Sequence, residues 1–294
     1  MYIYLMKKSH YIEYTVLRGI ETVINLTPRI LTLWFGAVLG QILYLCGAYR
    51  KIVEKNFDHA GFWDDSQKKR IIPKLYQNMG RYAADFLRKG KHPVYRVANV
   101  ELLEECVRRG KGTMVVLAHF GNWELLAALF GTKVNKLNVV AMPMRNPLVE
   151  KWLHSKRDAT GVNTIYTENA LRGMLGALRK NEFTAILIDQ SLRMGTPAPF
   201  LGKTASTVRT AAGLVRKTGA TALPVYALLQ RDGSYEIYIS IAELPAFENT
   251  DDEETIITKI QTQHNDILSE WIKEHPEHWF GWFHRRFKGY IDYK

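Results

Sequence analysis

The sequence predicts an α/β protein in which a mainly parallel, mixed sheet is flanked by helices and preceded by a helical N-terminal arm. From residue 113 onward, short β-branched runs alternate with helix-like stretches, a pattern typical of βαβ units. Before that point the pattern is helical, and it includes an uncharged run long enough to cross a membrane. We therefore expect a helical membrane-anchor arm over residues 1–60 and an α/β domain over residues 61–294.

Two amphipathic helices are predicted within residues 49–65 and 66–89, where apolar residues recur every three or four positions. Strands are predicted at TMVVLA (113–118), LNVVAM (137–142), TAILID (184–189), TALPVYALL (221–229) and YEIYISI (235–241). Helices are predicted between most of them, at 122–130, 147–159, 168–180 and 206–218, and a last one ends at Pro276. The turn sequence RDGS between the last two strands favours an antiparallel hairpin.

The arm is defined by the run ILTLWFGAVLGQILYLCGAY, which lies between Arg29 and Arg50 and carries no charge. A helix needs about 20 apolar residues to cross a bilayer, so this run just suffices. Basic residues flank both ends and no clear cleavage site follows, which argues against a removed signal peptide. We expect an anchor that either spans the membrane or lies against it, with a buried core helix as the alternative.

The net charge of the chain indicates the kind of partner it binds, and its two cysteines bear on disulfide and metal sites. The formal net charge of +11 calls for an acidic partner, and nucleic acid, anionic lipid, a phosphorylated substrate and an acidic carrier protein all fit. The two cysteines, Cys46 and Cys106, lie in unlike surroundings far apart in the sequence. They suggest neither a disulfide framework nor a thiolate metal site.

Three ionisable residues follow predicted strands: His119 after 113–118, Arg145 after 137–142, and Asp189 at the end of 184–189. In open α/β sheets, ligands bind beyond the carboxyl ends of the strands. Polar residues that simply begin loops would explain any one of them. Together they predict a cleft at this edge of the sheet.

His119 and Glu124 form the strongest candidate pair for catalysis. A helix that begins at Asn122, a favoured N-cap, would place His119 in the preceding turn and Glu124 in the first turn. We predict that Glu124 holds one ring nitrogen of His119, so that the other can act as a general base toward a hydroxyl. Since no G-x-S-x-G motif occurs, we expect direct attack by the acceptor without an acyl-enzyme.

These residues resemble the His-x4-Asp/Glu pattern of the glycerolipid acyltransferase superfamily, and in particular the late acyltransferases of lipid A biosynthesis. The segment RNPLVEKWLHSKRDATG is similar to a family block that makes Arg157 a site residue, and Asp189 in ILIDQS matches an essential aspartate of the family. The stretches from Pro199 and from Pro276 are also similar to family signatures. Two loops depart from the pattern, one at Arg145 and one around Gln190, Ser191 and Arg193, which lacks the family's acidic and aromatic residues.

The resemblance implies transfer of an acyl chain from a thioester, carried by acyl carrier protein or coenzyme A, to a hydroxyl of a lipid A precursor. It requires no cofactor or metal and implies an anionic bacterial inner membrane, with the active site on the cytoplasmic side. His119 would be the base and Glu124 its orienter, and amides at the Asn122 helix start would stabilise the oxyanion. Arg157 would bind donor or acceptor phosphate, and Asp189 would hold Arg157 or line the site.

Other motifs are weaker. The sequence FLGKT contains the GKT of a phosphate loop, but Pro197 stands where the first glycine is needed, so Lys203 is at most a phosphate contact in a turn. Three histidines, His275, His278 and His284, lack the spacing of a metal site. Aromatic residues near them are expected in the core rather than at a membrane interface. Arg285 and Arg286 are candidate phosphate ligands, with a solvated cluster as the alternative.

Three other functions remain compatible with the sequence. The first is the same chemistry on another glycolipid or on an aminolipid, and the second is a hydrolase in which water replaces the acceptor. The third is a non-catalytic basic protein that binds membrane or nucleic acid. We expect no nucleic-acid partner, because the basic residues are scattered rather than clustered with aromatics on one face.

Overall fold

The computed structural model describes residues 7–89, 93–134, 136–192 and 195–294. Arg193, in the loop that departs from the family pattern, lies outside these residues, as do the first six positions of the predicted arm. Four helices come first: α1 (Lys8–Leu26), α2 (Arg29–Leu45), α3 (Arg50–Ala60) and α4 (Asp65–Leu87). The two amphipathic helices predicted after the uncharged run are therefore confirmed as α3 and α4.

The α/β part follows, and its elements alternate as predicted. The strands are β1 (Tyr95–Ala98), β2 (Thr113–Leu117), β3 (Leu137–Ala141), β4 (Val162–Tyr166), β5 (Phe183–Leu187), β6 (Thr196–Phe200), β7 (Lys203–Thr207), β8 (Thr221–Leu229) and β9 (Tyr235–Ile239). The helices are α5 (Glu101–Arg109), α6 (Trp123–Gly131), α7 (Pro147–Asp158), α8 (Ala170–Arg179), α9 (Thr210–Thr218) and α10 (Glu253–Glu274). A short 3-10 turn at Thr167–Asn169 lies between β4 and α8, and two more follow α10 at Pro276–His278 and Phe280–Phe283.

Seven strands form one sheet in the order β1-β9-β8-β2-β5-β3-β4. All neighbours are parallel except β8 and β9, which pair antiparallel as the RDGS turn predicted. The α/β fold with a mainly parallel mixed sheet is thus confirmed. The central strands are buried along nearly their whole length, as expected for a sheet covered by helices on both faces.

Two parts of the sheet region differ from the sequence prediction. The edge strands β1 and β4 were not predicted, and neither was the separate antiparallel hairpin of β6 and β7. The helix predicted over 206–218 begins only at Thr210, because its first residues belong to β7.

The uncharged run forms α2, which packs on α4 through small residues. A side chain at Gly36 would collide with the backbone of Gly80, so both glycines are needed for this close approach. The opposite face of α2 is apolar and exposed, with Trp34 at 58% and Phe35 at 56%. Within the described residues, none of the helices alone has the length and apolarity to cross a membrane, although α2 and α3 meet the test as a pair bent by 86°.

Candidate active site

His119 and Asp189 lie side by side because the strands that precede them are paired. In the parallel ladder of β2 and β5, Leu117 is opposite Leu187, and each strand is followed two residues later by one of the two side chains. The ladder continues past the strand ends, since the Ile188 N–H donates to the Leu117 carbonyl at 3.0 Å. The parallel register therefore brings a histidine and an aspartate together at the carboxyl edge of the sheet, where ligands bind.

The Asp189 carboxylate holds His119 through both its backbone and its ring. Oδ1 lies 2.9 Å from Nδ1 of the imidazole, and Oδ2 accepts the His119 backbone N–H at 2.9 Å. Oδ2 also accepts Nε1–H of Trp279 at 2.7 Å. With Asp189 fully buried, the carboxylate fixes a tautomer in which Nδ1 carries the proton and Nε2 is free to accept one.

The charges of this pair shift both pKa values. Burial lowers the pKa of His119, but the charge and the hydrogen bond of Asp189, with a smaller contribution from Glu124, raise it above its ordinary value. Burial alone would raise the pKa of Asp189. The charge and hydrogen bonds of His119 and the Trp279 N–H outweigh that effect and lower the pKa to about 2. Asp189 is therefore ionised at neutral pH, and His119 is a stronger base than a free imidazole.

The turn that follows His119 depends on glycine. Gly121 has a φ of 62°, and a Cβ there would collide with the carbonyl of Ala227. Asn122 then caps α6, as predicted: its side chain accepts the Leu125 N–H at 3.2 Å. The N–H groups of Gly121 and Asn122 are occupied by the carbonyls of His278 and Ala227.

Glu124 lies in the first turn of α6, as predicted, but its partner is Arg157 and not His119. Its Oε1 is 2.7 Å from a guanidinium nitrogen of Arg157, near the end of α7. The predicted contact between Glu124 and the imidazole is therefore wrong, because Asp189 already occupies Nδ1. Asp189 in turn lines the site and does not hold Arg157. Glu124 acts on His119 only through its charge.

A cavity of about 450 Å³ opens beside the Glu124–Arg157 pair. Arg157 is largely buried there, and its Nε has no hydrogen-bond partner among the described residues. Much of the cavity wall is apolar, and several cations lie around it. The apolar side chains include Phe86, Leu125, Ala127, Ala128, Trp152 and Val162, and the cations include Arg18, Arg29, Arg88, Lys89 and Lys156.

The C-terminal segment closes the other side of the site. Phe280 donates its N–H to the His119 carbonyl at 2.7 Å, and Phe120 forms an isolated β-bridge with Trp279. The ring of Trp123 stands edge-on to the imidazole at 5.1 Å between centroids. Ring nitrogens of His119 and His284 both lie near the Gln190 amide nitrogen, at 3.3 and 3.1 Å.

A family model described as bacterial lipid A biosynthesis acyltransferase matches residues 5–289. The chain belongs to this family. The resemblance inferred from His119, Glu124, Arg157 and Asp189 is thereby confirmed at the level of the family.

Two curated relatives are similar to the chain. They are the lipid A biosynthesis palmitoleoyltransferase of Escherichia coli K12 and a lipid A biosynthesis acyltransferase of Shigella flexneri, each 29% identical over 198 residues. The aligned region covers 66% of this chain and 61% of each relative. The match thus spans less than two thirds of the length of these family members.

The remaining predicted binding residues lie apart from His119. Arg145 is exposed in the loop before α7, and it makes no hydrogen bond or ion pair with the four family residues in the described part of the chain. Lys203 is exposed at the turn between β6 and β7. It lies close enough to His59 that, together with burial of that ring, it lowers the pKa of His59.

Arg285 and Arg286 have opposite environments. Arg285 is exposed, whereas Arg286 is fully buried and donates to the Ser206 carbonyl and to Thr207 Oγ1 at 2.5 and 2.7 Å. Its guanidinium also lies 4.3 Å from the centre of the Phe200 ring. Arg286 therefore has no surface for a phosphate, and that prediction is corrected: the side chain ties the C-terminal segment to the β6–β7 hairpin.

Trp279, His284 and Gln190 are site residues that the sequence did not assign. The expectation of core aromatics is confirmed for Trp279 and Trp282, which are fully buried, yet Trp279 also donates to Asp189. His284 had been considered only as a metal ligand. Gln190 follows Asp189 directly, and its departure from the family pattern was the one signal that pointed to it.

Proposed function

We propose that this protein transfers a fatty acyl chain from a thioester to a hydroxyl of a lipid A precursor, with His119 as the general base. The observation that carries the proposal is the buried Asp189 carboxylate on Nδ1 of His119, which leaves Nε2 as a proton acceptor. Family membership supports this reaction class.

The chemistry follows from the pair. Nε2 takes the proton of the acceptor hydroxyl while the oxygen attacks the thioester carbonyl, and Asp189 stabilises the imidazolium that forms. The tetrahedral intermediate collapses by breaking the C–S bond, and the thiolate takes the proton back from His119. No covalent enzyme intermediate is needed, which agrees with the absence of a G-x-S-x-G motif.

Charge on the oxyanion requires a donor. The N–H groups of Gly121 and Asn122 already bind carbonyl oxygens, but those of Trp123 and Glu124 donate to no backbone carbonyl in the described part of the chain. They lie at the start of α6, where the helix dipole favours negative charge. We assign the oxyanion to these two amides.

The cavity beside Glu124 and Arg157 suits an amphiphilic substrate. Its apolar wall favours an acyl chain, and its cations favour an acceptor phosphate. Glu124 fixes the guanidinium of Arg157 so that its remaining N–H groups are available to the substrate. Neither coenzyme A nor acyl carrier protein is favoured by these contacts, because both present an acyl thioester on a phosphorylated arm.

Membrane contact is part of the proposal. Besides the exposed apolar face of α2, α1 also exposes apolar residues, such as Ile12, Val16 and Val23. Such a face buries favourably at an anionic bilayer, here the cytoplasmic side of a bacterial inner membrane. Co-sedimentation with phosphatidylglycerol vesicles tests it, and a protein that stays in the supernatant at low salt contradicts it.

The decisive experiment is acyl transfer by purified protein in detergent. Acyl carrier protein and coenzyme A thioesters of several chain lengths are offered with a tetra-acylated lipid A precursor, for the natural chain, His119→Ala and the partly exposed control His154→Ala. We expect His119→Ala to lower the rate on the order of 10³-fold or more, and His154→Ala to leave it unchanged. Equal product from the natural chain and His119→Ala would rule out His119 as the base. If product forms only with other glycolipids, the acceptor is one of those lipids and not a lipid A precursor.

A further inference from the structure

The side-chain amide of Gln190 lies between two imidazoles. Its nitrogen is 3.3 Å from Nε2 of His119 and 3.1 Å from Nε2 of His284. The two rings are 5.8 Å apart between centroids and inclined by 48°. Because Nδ1 of His119 is held by Asp189, its Nε2 is an acceptor, and one N–H of Gln190 donates to it while the second reaches His284.

His284 is aimed at this point by a fixed backbone. Its carbonyl accepts Nδ2–H of Asn56 at 2.8 Å, and its N–H donates to the Gly281 carbonyl at 3.0 Å. Asn56, from α3, is fully buried and also donates to the Trp282 carbonyl at 2.8 Å. The ring itself is exposed, so the segment holds His284 firmly while leaving its side chain open to a ligand.

The position of the Gln190 nitrogen matches the needs of an attacking hydroxyl. A hydroxyl has one proton to donate and lone pairs to accept with, so it can bind an acceptor and a donor at once. At that position it would donate to Nε2 of His119 and accept from Nε2–H of His284. Although the residue is exposed, partial burial of its ring and the nearby His119 lower the pKa of His284, so it is a neutral imidazole that changes tautomer through water.

We propose that the acceptor hydroxyl displaces the Gln190 amide and binds between His119 and His284, so that His284 positions the nucleophile and Gln190 keeps water from the base until the acceptor arrives. This rests on the proposed acyl transfer. In the reaction the hydroxyl proton moves to Nε2 of His119, the oxygen bonds the thioester carbon, and the C–S electron pair leaves on sulfur. The thiolate then takes the proton from His119, and His284 neither gains nor loses one.

Gln190→Ala tests the displacement. Thiol release from acyl-coenzyme A is measured without acceptor, and ester formation is measured with saturating lipid A precursor. We expect the ratio of hydrolysis to ester formation to rise about tenfold, because without acceptor water enters the vacated position, whereas the acceptor displaces the amide in either protein. Gln263→Ala, at a partly exposed glutamine whose amide donates to the Glu243 carbonyl, is the matched control and should change neither rate. An unchanged or lower ratio in Gln190→Ala overturns the proposal.

His284 is tested by a pair of variants. His284→Gln keeps a donor near the Nε2 position, whereas His284→Phe keeps the ring and removes the donor. We expect His284→Phe to raise the KM for the acceptor about 10- to 100-fold and His284→Gln to restore most of the loss. Similar acceptor KM values in both variants, with both folded by thermal unfolding, show a merely structural role and overturn the proposal.

NMR titration of His119 provides a readout that needs no substrate. An N–H that donates to the neutral Nε2 stabilises the uncharged ring, so Gln190→Ala should raise the pKa of His119. An unchanged value shows that the contact is not made in solution and overturns the proposal. The two failures are distinct. If the natural chain forms no ester with any acceptor, the proposed function is rejected. If ester forms, but Gln190→Ala leaves the ratio of hydrolysis to ester formation unaltered and His284→Phe leaves the acceptor KM unaltered, only this inference is rejected.

Discussion

Two carboxylate pairs at the site lie on neighbouring elements, yet they have different environments. Asp189 is fully buried, and it accepts three N–H groups from His119 and Trp279. Glu124 is partly exposed, with 22% of its side chain accessible, and it binds Arg157 beside the cavity. The first pair has the geometry to set the protonation of a base, and the second to hold a cation toward a ligand. Substitutions that break each pair should therefore change different kinetic constants.

The largest effect is expected from Asp189→Asn. The asparagine keeps the shape but loses the charge that stabilises the imidazolium, and its amide can force the wrong tautomer on His119. We expect kcat to fall on the order of 10³-fold with little change in KM.

The pH profile of Asp189→Asn gives a second readout. His119 must be neutral to act, so activity rises with pH through its pKa, which Asp189 raises above the ordinary value. Without the carboxylate that pKa falls, and the acid limb should move to lower pH. The control Asp251→Asn, at a partly buried ion pair with Lys259 that makes no contact with His119, should leave the profile unchanged. An acid limb that does not move would mean that another group sets it.

An intermediate effect is expected from Arg157→Lys. Lysine keeps the charge but loses the planar fork that Glu124 orients, so substrate binding weakens. We expect kcat/KM to fall about 10- to 100-fold, mainly through KM. The acid limb of the kcat profile should stay in place. A shifted acid limb would show that the Glu124–Arg157 pair also influences the pKa of His119. That result would contradict the separate roles assigned to the two pairs.

The smallest effect is expected from Trp279→Phe. The change removes the N–H that Trp279 donates to Asp189. Because the carboxylate then attracts the imidazolium more strongly, the pKa of His119 should rise. The acid limb should move to higher pH, opposite to Asp189→Asn, and kcat should fall about three- to tenfold. Thermal unfolding checks that the cavity left by the indole does not unfold the protein. A shift to lower pH would contradict the assigned direction of this hydrogen bond.

The contrast between the pairs also shows where sequence reasoning ends. Local signals placed His119 after a strand, Asn122 at a helix cap and Asp189 at another strand end, and all three are found there. Which carboxylate meets the imidazole depends on the register of β2 against β5, for which a single sequence carries no signal. The sequence argument favours Glu124 because it lies only five residues after His119. In the structure Asp189 makes the contact, because the pairing of β2 and β5 brings it beside the imidazole.

The strands that the sequence analysis missed lack the usual strand pattern, each for a local reason. β1 has four residues and β4 has polar positions, so neither gives the continuous apolar run of a central strand. β6 contains two prolines, which normally argue against a strand, and it is tolerated here because its hairpin stands apart from the main sheet. The roles of Trp279 and His284 had no local signal, since their partners lie about 90 residues earlier in the chain.

That separation has a consequence for the order in which the protein is made. The strands carrying His119 and Asp189 leave the ribosome before Trp279, whose N–H completes the shell of the carboxylate from 90 residues further along. Phe280 and Arg286, which fasten the same segment to His119 and to the β6–β7 hairpin, emerge later still. Since domains assemble from the N-terminus during synthesis, a nascent chain exposes the apolar face of α2 well before it holds the completed cluster of His119, Asp189 and Trp279. A chain interrupted before Trp279 would therefore keep the strands that carry His119 and Asp189 but lack the donor that completes the shell of the carboxylate.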